Sequence, residues 1–100
     1  MNEYERLRRL AEVNKKRYPV GTRILLNNMD DYLDPVPSGT RGTVDSVDDN
    51  GQIFMKWDNG RTLPLNSDVD SLRKLTDEEL AEEEAGSENL DESNGPVMGM

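Results

Sequence analysis

The sequence contains no cysteine and no histidine among its 100 residues. The chain therefore lacks an imidazole base, a thiol nucleophile and nearly all of the usual zinc ligands. Carboxylate, lysine and hydroxyl groups can catalyse, but they need a walled pocket that shifts their pKa values. A chain of this size allows one small domain, which has little interior for such a pocket. We expect a protein that is not an enzyme and that uses no cofactor or metal.

Aromatic residues and long apolar runs are also scarce. Aromatic side chains make up only 5% of the sequence. No apolar run approaches the roughly 20 residues that a helix needs to cross a bilayer. The charged start, from Met1 to Arg6, lacks the apolar segment of a secretory signal. We therefore expect a cytoplasmic protein that does not contact a membrane.

The charge of the chain is unevenly distributed along the sequence. The formal net charge is −9, with residues 1–20 contributing +3, residues 21–75 contributing −3 and residues 76–100 contributing −9. The first 75 residues are thus neutral overall, and the C-terminal segment supplies the whole excess. Such a segment either keeps the chain in solution or competes for a basic surface, on this chain or on a partner.

Residues 1–17 are predicted to form a basic amphipathic helix. Asn2 can cap it, and Glu5 follows three residues later as in a capping box. A narrow stripe recurs at three- and four-residue spacing, consisting of Tyr4, Leu7, Leu10, Ala11 and Asn14. We expect this stripe to pack on the rest of the domain, with dimerisation or partner binding as alternatives. Pro19 stops the helix.

Residues 18–75 alternate between apolar and polar side chains in short runs. The predicted strands are Thr22–Asn27, Thr40–Asp48, Gln52–Trp57, Arg61–Leu65 and Asp70–Lys74. Asp49-Asn50-Gly51 and Asp58-Asn59-Gly60 are typical hairpin turns. This pattern predicts a mainly β fold, a small five-stranded barrel. The expected core contains Val20, Ile24, Leu26, Val44, Val47, Ile53, Met55, Trp57, Leu63, Leu65, Val69 and Leu72.

The remaining residues are acidic throughout. Thr76 and Glu79 form a second capping-box pattern, so residues 76–86 are predicted to be a short acidic helix that ends at Gly86. Residues 87–100 have little to bury and are predicted to be a disordered acidic tail.

The stretch from residue 18 to about residue 75 resembles a family of short uncharacterised domains from phages and other mobile elements of Gram-positive bacteria. The residues that carry the likeness are Tyr18–Ile24, Asp30-Asp31, Pro37–Val44, Val47–Ile53 and Lys56–Arg61. Within it, Gly39–Val44 is similar to KOW motifs, and Met55–Gly60 is similar to the strand and turn of Mib-Herc2 modules. The resemblance implies an SH3-like barrel and a phage setting, and it implies no activity.

A protein-binding surface is the first functional hypothesis. SH3-like barrels bind partners between the first long loop and the hairpin tips. Here that region offers apolar anchors and carboxylates, namely Tyr32, Leu33, Pro35, Phe54, Asp30, Asp31, Asp48 and Asp49. Small acidic proteins of mobile elements include anti-CRISPR proteins, which inhibit nucleic-acid enzymes. We therefore expect a non-catalytic protein-binding module, possible partners being nucleic-acid enzymes such as a host nuclease.

Direct RNA or DNA binding, as in KOW modules, is the alternative hypothesis. It would use the basic helix and the barrel cations, namely Arg6, Arg9, Lys15, Lys16, Arg17, Arg41, Lys56 and Arg61. The net negative charge of residues 21–75 counts against it. A calcium loop beginning at Ser46 is rejected, because Ser46 and Trp57 stand where an EF-hand needs acidic ligands.

Overall fold

The computed structural model describes residues 2–30 and 33–94, with side chains described up to residue 86. Its elements are α1 (Glu3–Arg17), β1 (Arg23–Asn28), β2 (Arg41–Val47), β3 (Ile53–Trp57), β4 (Ser71–Lys74) and α2 (Asp77–Asn94). The four strands form one antiparallel sheet in the order β3-β2-β1-β4. The protein is thus mainly β, with one helix before β1 and one helix after β4.

The inner face of the sheet carries the hydrophobic core. Ile24 and Leu26 in β1 are completely buried, and so is Ile53 in β3. Alternation along each strand places the neighbouring side chains on the opposite, outer face. Trp57 is also buried, and its indole N–H donates to the carbonyl of Leu63 at 2.8 Å. A single core therefore lies on one side of the sheet and leaves the other side for charged residues.

Helix α1 packs on the domain through its predicted stripe. The amide N–H of Glu5 donates to the side-chain oxygen of Asn2 at 2.8 Å, which confirms the N-cap. Ala11 and Asn14 are buried, whereas Tyr4 remains 70% exposed. The expected docking of the helix is confirmed, except at its first turn.

The segment 61–65 does not form the strand that the sequence predicts. Leu65 makes an isolated bridge with Ile53, and the amide N–H of Trp57 donates to the carbonyl of Arg61. Pro64 has no N–H to donate, which interrupts a regular ladder here. The sheet therefore has four strands among the described residues, one fewer than expected.

Two predicted core residues lie at the surface. Val20 is 75% exposed and Val69 is 53% exposed. Both stand in tight turns, closed by hydrogen bonds from Thr22 to Pro19 and from Val69 to Asn66, so the strand alternation does not apply to them. Conversely, Tyr18, Met29 and Val36 join the core although they flank or follow predicted strands.

Helix α2 runs to Asn94, beyond Gly86 where the sequence predicts its end. Gly86 is not among the glycines with positive φ, and a glycine inside a helix weakens it without stopping it. Residues 87–94, predicted as part of a disordered tail, are thus helical, and residues 95–100 lie outside the described part. None of the helices in the described ranges has the length and apolar character needed to span a membrane.

Candidate functional site

Three arginines lie on the outer face of the sheet, and together they are called the arginine face: Arg23, Arg41 and Arg73. Leu25 of β1 stands directly opposite Arg41 of β2 and Arg73 of β4, so these two arginines flank it in one row. Arg23 lies two residues before Leu25, opposite Thr43, and therefore points to the same side. The register of three strands thus assembles one cluster of guanidinium groups.

The start of α2 places two carboxylates over this cluster. The hydroxyl of Thr76 accepts from the amide N–H of Glu79 at 3.1 Å, and Glu79 in turn accepts from the amide N–H of Thr76 at 2.9 Å. This reciprocal capping box fixes the first turn of the helix. Glu83 follows one turn later on the same side, so both carboxylates face the sheet.

Arg23 is held between two carboxylates. Its Nε and Nη2 donate to Glu83 at 3.1 and 2.6 Å, and its Nη1 and Nη2 donate to Asp58 at 2.8 and 2.6 Å. Nη1 also donates to the hydroxyl of Thr43 at 3.0 Å. Bidentate pairs of this kind are directional and stronger than single contacts. Arg23 therefore joins the turn after β3 to α2.

The other two arginines extend the same network. Arg73 donates to both oxygens of Glu79, at 2.8 and 3.0 Å. Arg41 lies between the two glutamates, 3.2 Å from Glu83 and 3.8 Å from Glu79. Three guanidinium groups and three carboxylates thus form one continuous chain across β4, β2, β1, the turn after β3 and α2.

The guanidinium groups shift the pKa values of the carboxyls that they contact. Arg73 is the main cause that lowers the pKa of Glu79 to about 2. Arg23 is the main cause of the lowered pKa values of Glu83 and Asp58. In return, the hydrogen bonds to these two carboxylates raise the pKa of Arg23. Glu79, Glu83 and Asp58 therefore stay ionised near neutral pH, and their three negative charges balance the three arginines of the cluster.

The rest of the first three turns of α2 faces solvent. Its exposed carboxylates without a described partner are Asp77, Glu78, Glu82 and Glu84. Leu80 is 39% exposed, so this part of the helix buries little apolar surface. Helix α2 thus has one face bound to arginines and a second acidic face that is open.

The predicted apolar partner site is only partly assembled. Leu33 is 80% exposed and Pro35 is exposed, whereas Phe54 is half-buried on the outer face of β3. Asp31 and Tyr32 lie outside the described residues. The structure therefore shows an accessible loop and gives no common site for its residues and Phe54.

The predicted carboxylates have local structural partners. Asp48 accepts from the amide N–H groups of Asn50 and Gln52 and so forms the hairpin turn. Asp49 pairs with Lys15 of α1 at 2.9 Å, which lowers the pKa of Asp49. The amide N–H of Asp30 donates to Asp70 at 2.6 Å. Asp30 is thus tied to Asp70, whereas Asp48 and Asp49 belong to the turn between β2 and β3.

Most cations of the predicted nucleic-acid surface form ion pairs with carboxylates of the same chain. Five of its eight residues have a carboxylate partner: Arg6, Lys15, Arg41, Lys56 and Arg61. Arg9, Lys16 and Arg17 are exposed on α1 without a described ion pair. The structure therefore leaves fewer free cations than the sequence suggests.

Sequence reasoning missed the network itself. The sequence patterns do not predict that Arg23 and Arg73 pair with Glu79 and Glu83. One signal was present, because Glu79 and Glu83 are four residues apart on one helix face. The pairing of β4 with β1, which places Arg73 across Leu25 from Arg41, is not visible in the sequence. Among the described residues no group of three or more acidic side chains could hold a metal ion.

Fold and site define a small single-sheet β domain with a basic helix before it and an acidic helix docked on its outer face. A family model described as a domain of unknown function (DUF4314) matches residues 5–75. The chain belongs to this domain family, and α2 lies beyond the matched region. The expected family without an assigned activity is thereby confirmed, while the phage setting stays a prediction. No curated protein and no solved structure matches the chain.

Proposed function

We propose that the protein is a non-catalytic binding module that uses α2 to bind a basic surface on a protein partner. One observation carries this proposal: Glu79 and Glu83 already hold three arginines of the chain's own sheet. The helix is therefore built to present carboxylates to guanidinium groups at hydrogen-bonding distance.

The open side of α2 supplies the charge for an external partner. Asp77, Glu78, Glu82 and Glu84 are exposed and lie within three helical turns. A local excess of one sign accelerates encounter with an oppositely charged surface and disfavours neutral or acidic ones. The proposed partner is an enzyme with a basic nucleic-acid channel, where these carboxylates take the place of phosphates. The protein would act as an inhibitor or accessory of that enzyme, as anti-CRISPR proteins do.

The proposal extends to the fold and the cellular setting. The bonds from segment 61–65 to β3 continue the antiparallel pairing beyond the sheet edge. This supports an SH3-like barrel in which that segment takes the place of the fifth strand. The resemblance to phage domains supports a cytoplasmic role beside host nucleic-acid enzymes, and the exposed Leu33 would add an apolar contact.

Charge-neutralising variants test the open face of α2. Glu78→Gln with Glu82→Gln removes two exposed carboxylates, and Glu5→Gln with Glu12→Gln removes two from α1 as a matched control. We expect the first variant to bind a fluorescent arginine-rich peptide several-fold more weakly at low salt, and the control to bind like the wild type. Equal weakening in both variants would mean that net charge alone decides, and would overturn the assignment to α2.

A cross-linking experiment tests the class of partner. A photoreactive residue at position 82 should capture a nucleic-acid enzyme from a host lysate, and the same group at position 12 should not. Capture of the same enzyme from both positions, or capture of ribosomal or membrane proteins from position 82, would contradict the proposal.

Direct nucleic-acid binding through α1 is the second candidate. It is favoured by the exposed side chains of Arg9, Lys16 and Arg17, which have no described ion pair. Binding of an oligonucleotide by the wild-type protein, and its loss in Lys16→Gln with Arg17→Gln, would support this candidate over the first. If the wild-type protein does not retard oligonucleotides in a gel-shift experiment at low salt, this candidate is excluded.

A further inference from the structure

Carboxylates of α2 neutralise most of the positive charge of the arginine face. Among the described residues outside that helix, Asp58 is the carboxylate that pairs with any of the three arginines. Glu79 and Glu83 supply every other ion pair of the cluster. If α2 moved away, three guanidinium groups would remain beside one carboxylate.

The contact between α2 and the sheet is of a kind that can be displaced. Its described links are ion pairs between partly exposed side chains, which salt screens and which stabilise weakly. Leu80 is 39% exposed and adds little apolar burial. The capping box of Thr76 and Glu79 lies within the helix and its cap, so α2 can stay helical after it leaves the sheet.

The outer face is wider than the strip that α2 covers. Lys56 stands opposite Thr43, in the same cross-strand row as Arg23. Its side chain is 74% exposed and lies 3.6 Å from Asp45, an exposed pair that salt screens easily. Phe54 precedes Lys56 by two residues and shares its side of β3. A sheet face that combines several cations with a partly exposed aromatic ring suits a single-stranded nucleic acid, because phosphates bind cations and bases stack on rings. An acidic helix would bind the cations but would make no use of the aromatic ring.

We propose that the arginine face, with Lys56 and Phe54, is a binding site for single-stranded nucleic acid that α2 covers. The two carboxylates of α2 occupy the positions that phosphate groups take when the helix is displaced. A partner that binds the open side of α2, as proposed above, and also takes Glu79 and Glu83 from the arginines uncovers this site. The two binding events are then coupled, and each increases the affinity of the other.

The first experiment compares two full-length variants that carry the same change in charge. Glu79→Gln with Glu83→Gln releases α2, and Glu78→Gln with Glu82→Gln alters only its open side. We expect the release variant to bind a labelled single-stranded oligonucleotide of mixed sequence about tenfold more tightly than the control, measured by fluorescence anisotropy at low salt. Equal affinities in the two variants would overturn the proposal.

A second pair of variants locates the site. Added to the release variant, Arg41→Gln with Arg73→Gln should return the affinity to that of the control. Lys16→Gln with Arg17→Gln, which removes two cations from α1, should leave the gain intact. The reverse result would assign the binding to α1 and overturn the proposal.

Two further measurements keep the outcome interpretable. Glu83→Gln alone preserves the capping box and should give a smaller gain, so the proposal can be tested even if the double variant unfolds.

Polyglutamate serves as a competitor for the labelled oligonucleotide. If polyglutamate displaces the oligonucleotide at equal charge concentration, the face is a site for acidic protein segments and the proposal fails. These oligonucleotide-binding experiments contain no protein partner, so a negative result in them does not bear on the proposed binding of α2 to a partner.

Discussion

The side-chain amide of Asn14 in α1 donates to the carbonyl of Gly51, 37 residues away, at 2.9 Å. The same nitrogen donates to the hydroxyl of Ser67 at 3.0 Å. Asn14 is only 2% exposed, and its bond to Gly51 is buried, whereas the bond to Ser67 is partly buried. One buried polar residue thereby joins the helix, the hairpin turn between β2 and β3, and the turn before β4.

Asn14→Ala should destabilise the domain by roughly 1–3 kcal/mol, because the carbonyl of Gly51 loses its described side-chain donor in a buried site. Chemical denaturation followed by tryptophan fluorescence measures this loss. Lys16→Ala, which truncates an exposed side chain on the same helix, should cost less than about 0.5 kcal/mol. Equal losses in the two variants would show that the buried amide contributes nothing specific.

Gly51→Ala and Gly60→Ala form a matched pair of substitutions. Both glycines have positive φ, at +85° and +90°, and stand in hairpin turns. A Cβ at Gly51 would lie 2.8 Å from Cγ of Leu10 and 3.2 Å from the backbone of Ala11, whereas a Cβ at Gly60 meets nothing within 4 Å. Gly60→Ala should therefore cost about 1–2 kcal/mol for the backbone alone.

We expect the loss in Gly51→Ala to exceed that in Gly60→Ala, because the added methyl also pushes α1 away from the turn. Denaturation midpoints give the comparison, and amide NMR shifts in α1 report the displacement. A smaller loss at Gly51 than at Gly60 would contradict the packing of α1 on this turn.

Trp57→Ala should cost roughly 3–5 kcal/mol, because it empties a large volume in the core. The side chain is 3% exposed, and its N–H donates to the carbonyl of Leu63. Trp57→Phe keeps most of the apolar contact and should cost less, chiefly for the lost hydrogen bond. Phe54→Ala on the outer face serves as the control, and a larger loss there than at Trp57 would reverse the assignment of the two faces.

The carboxyl group of Glu79 should titrate near pH 2, well below the ordinary value of 4.5, because Arg73 donates to both of its oxygens. Released α2 keeps the Thr76 bond but loses Arg73, so its Glu79 binds a proton at a higher pH than Glu79 of docked α2 does. The contribution of this pair to docking is therefore complete above pH 4.5 and is lost as the pH falls through about 2. Carboxyl-carbon NMR measures the pKa directly.

Arg73→Gln is the control for this titration, and it should move the pKa of Glu79 back toward 4.5 while leaving the capping bond from Thr76 in place. A midpoint near 4.5 in the wild-type protein would show that α2 is not docked on the arginine face in solution.

Local patterns in the sequence determined most of the secondary structure. Asn2 before α1 and Thr76 before α2 cap the helices as predicted, because a capping box needs only residues that are adjacent in the chain. The turns ending at Gly51 and Gly60 separate β2, β3 and the segment after them as expected. The alternation of Ile24 and Leu26 placed the core on one face of the sheet.

Only the tertiary structure decided what lies on the other face. The charge segregation was visible in the sequence, and it suggested that the acidic segment competes for a basic surface. Which surface that is depends on the pairing of β1 with β2 and β4, which sets Arg23 and Arg41 on the same face as Arg73 and so brings these distant arginines within reach of Glu83. Strand pairing between distant segments is fixed by packing of the whole chain, whereas a helix cap or a hairpin turn is fixed by its immediate neighbours. The sequence therefore determined the elements and the charges, and the fold alone determined which charges meet.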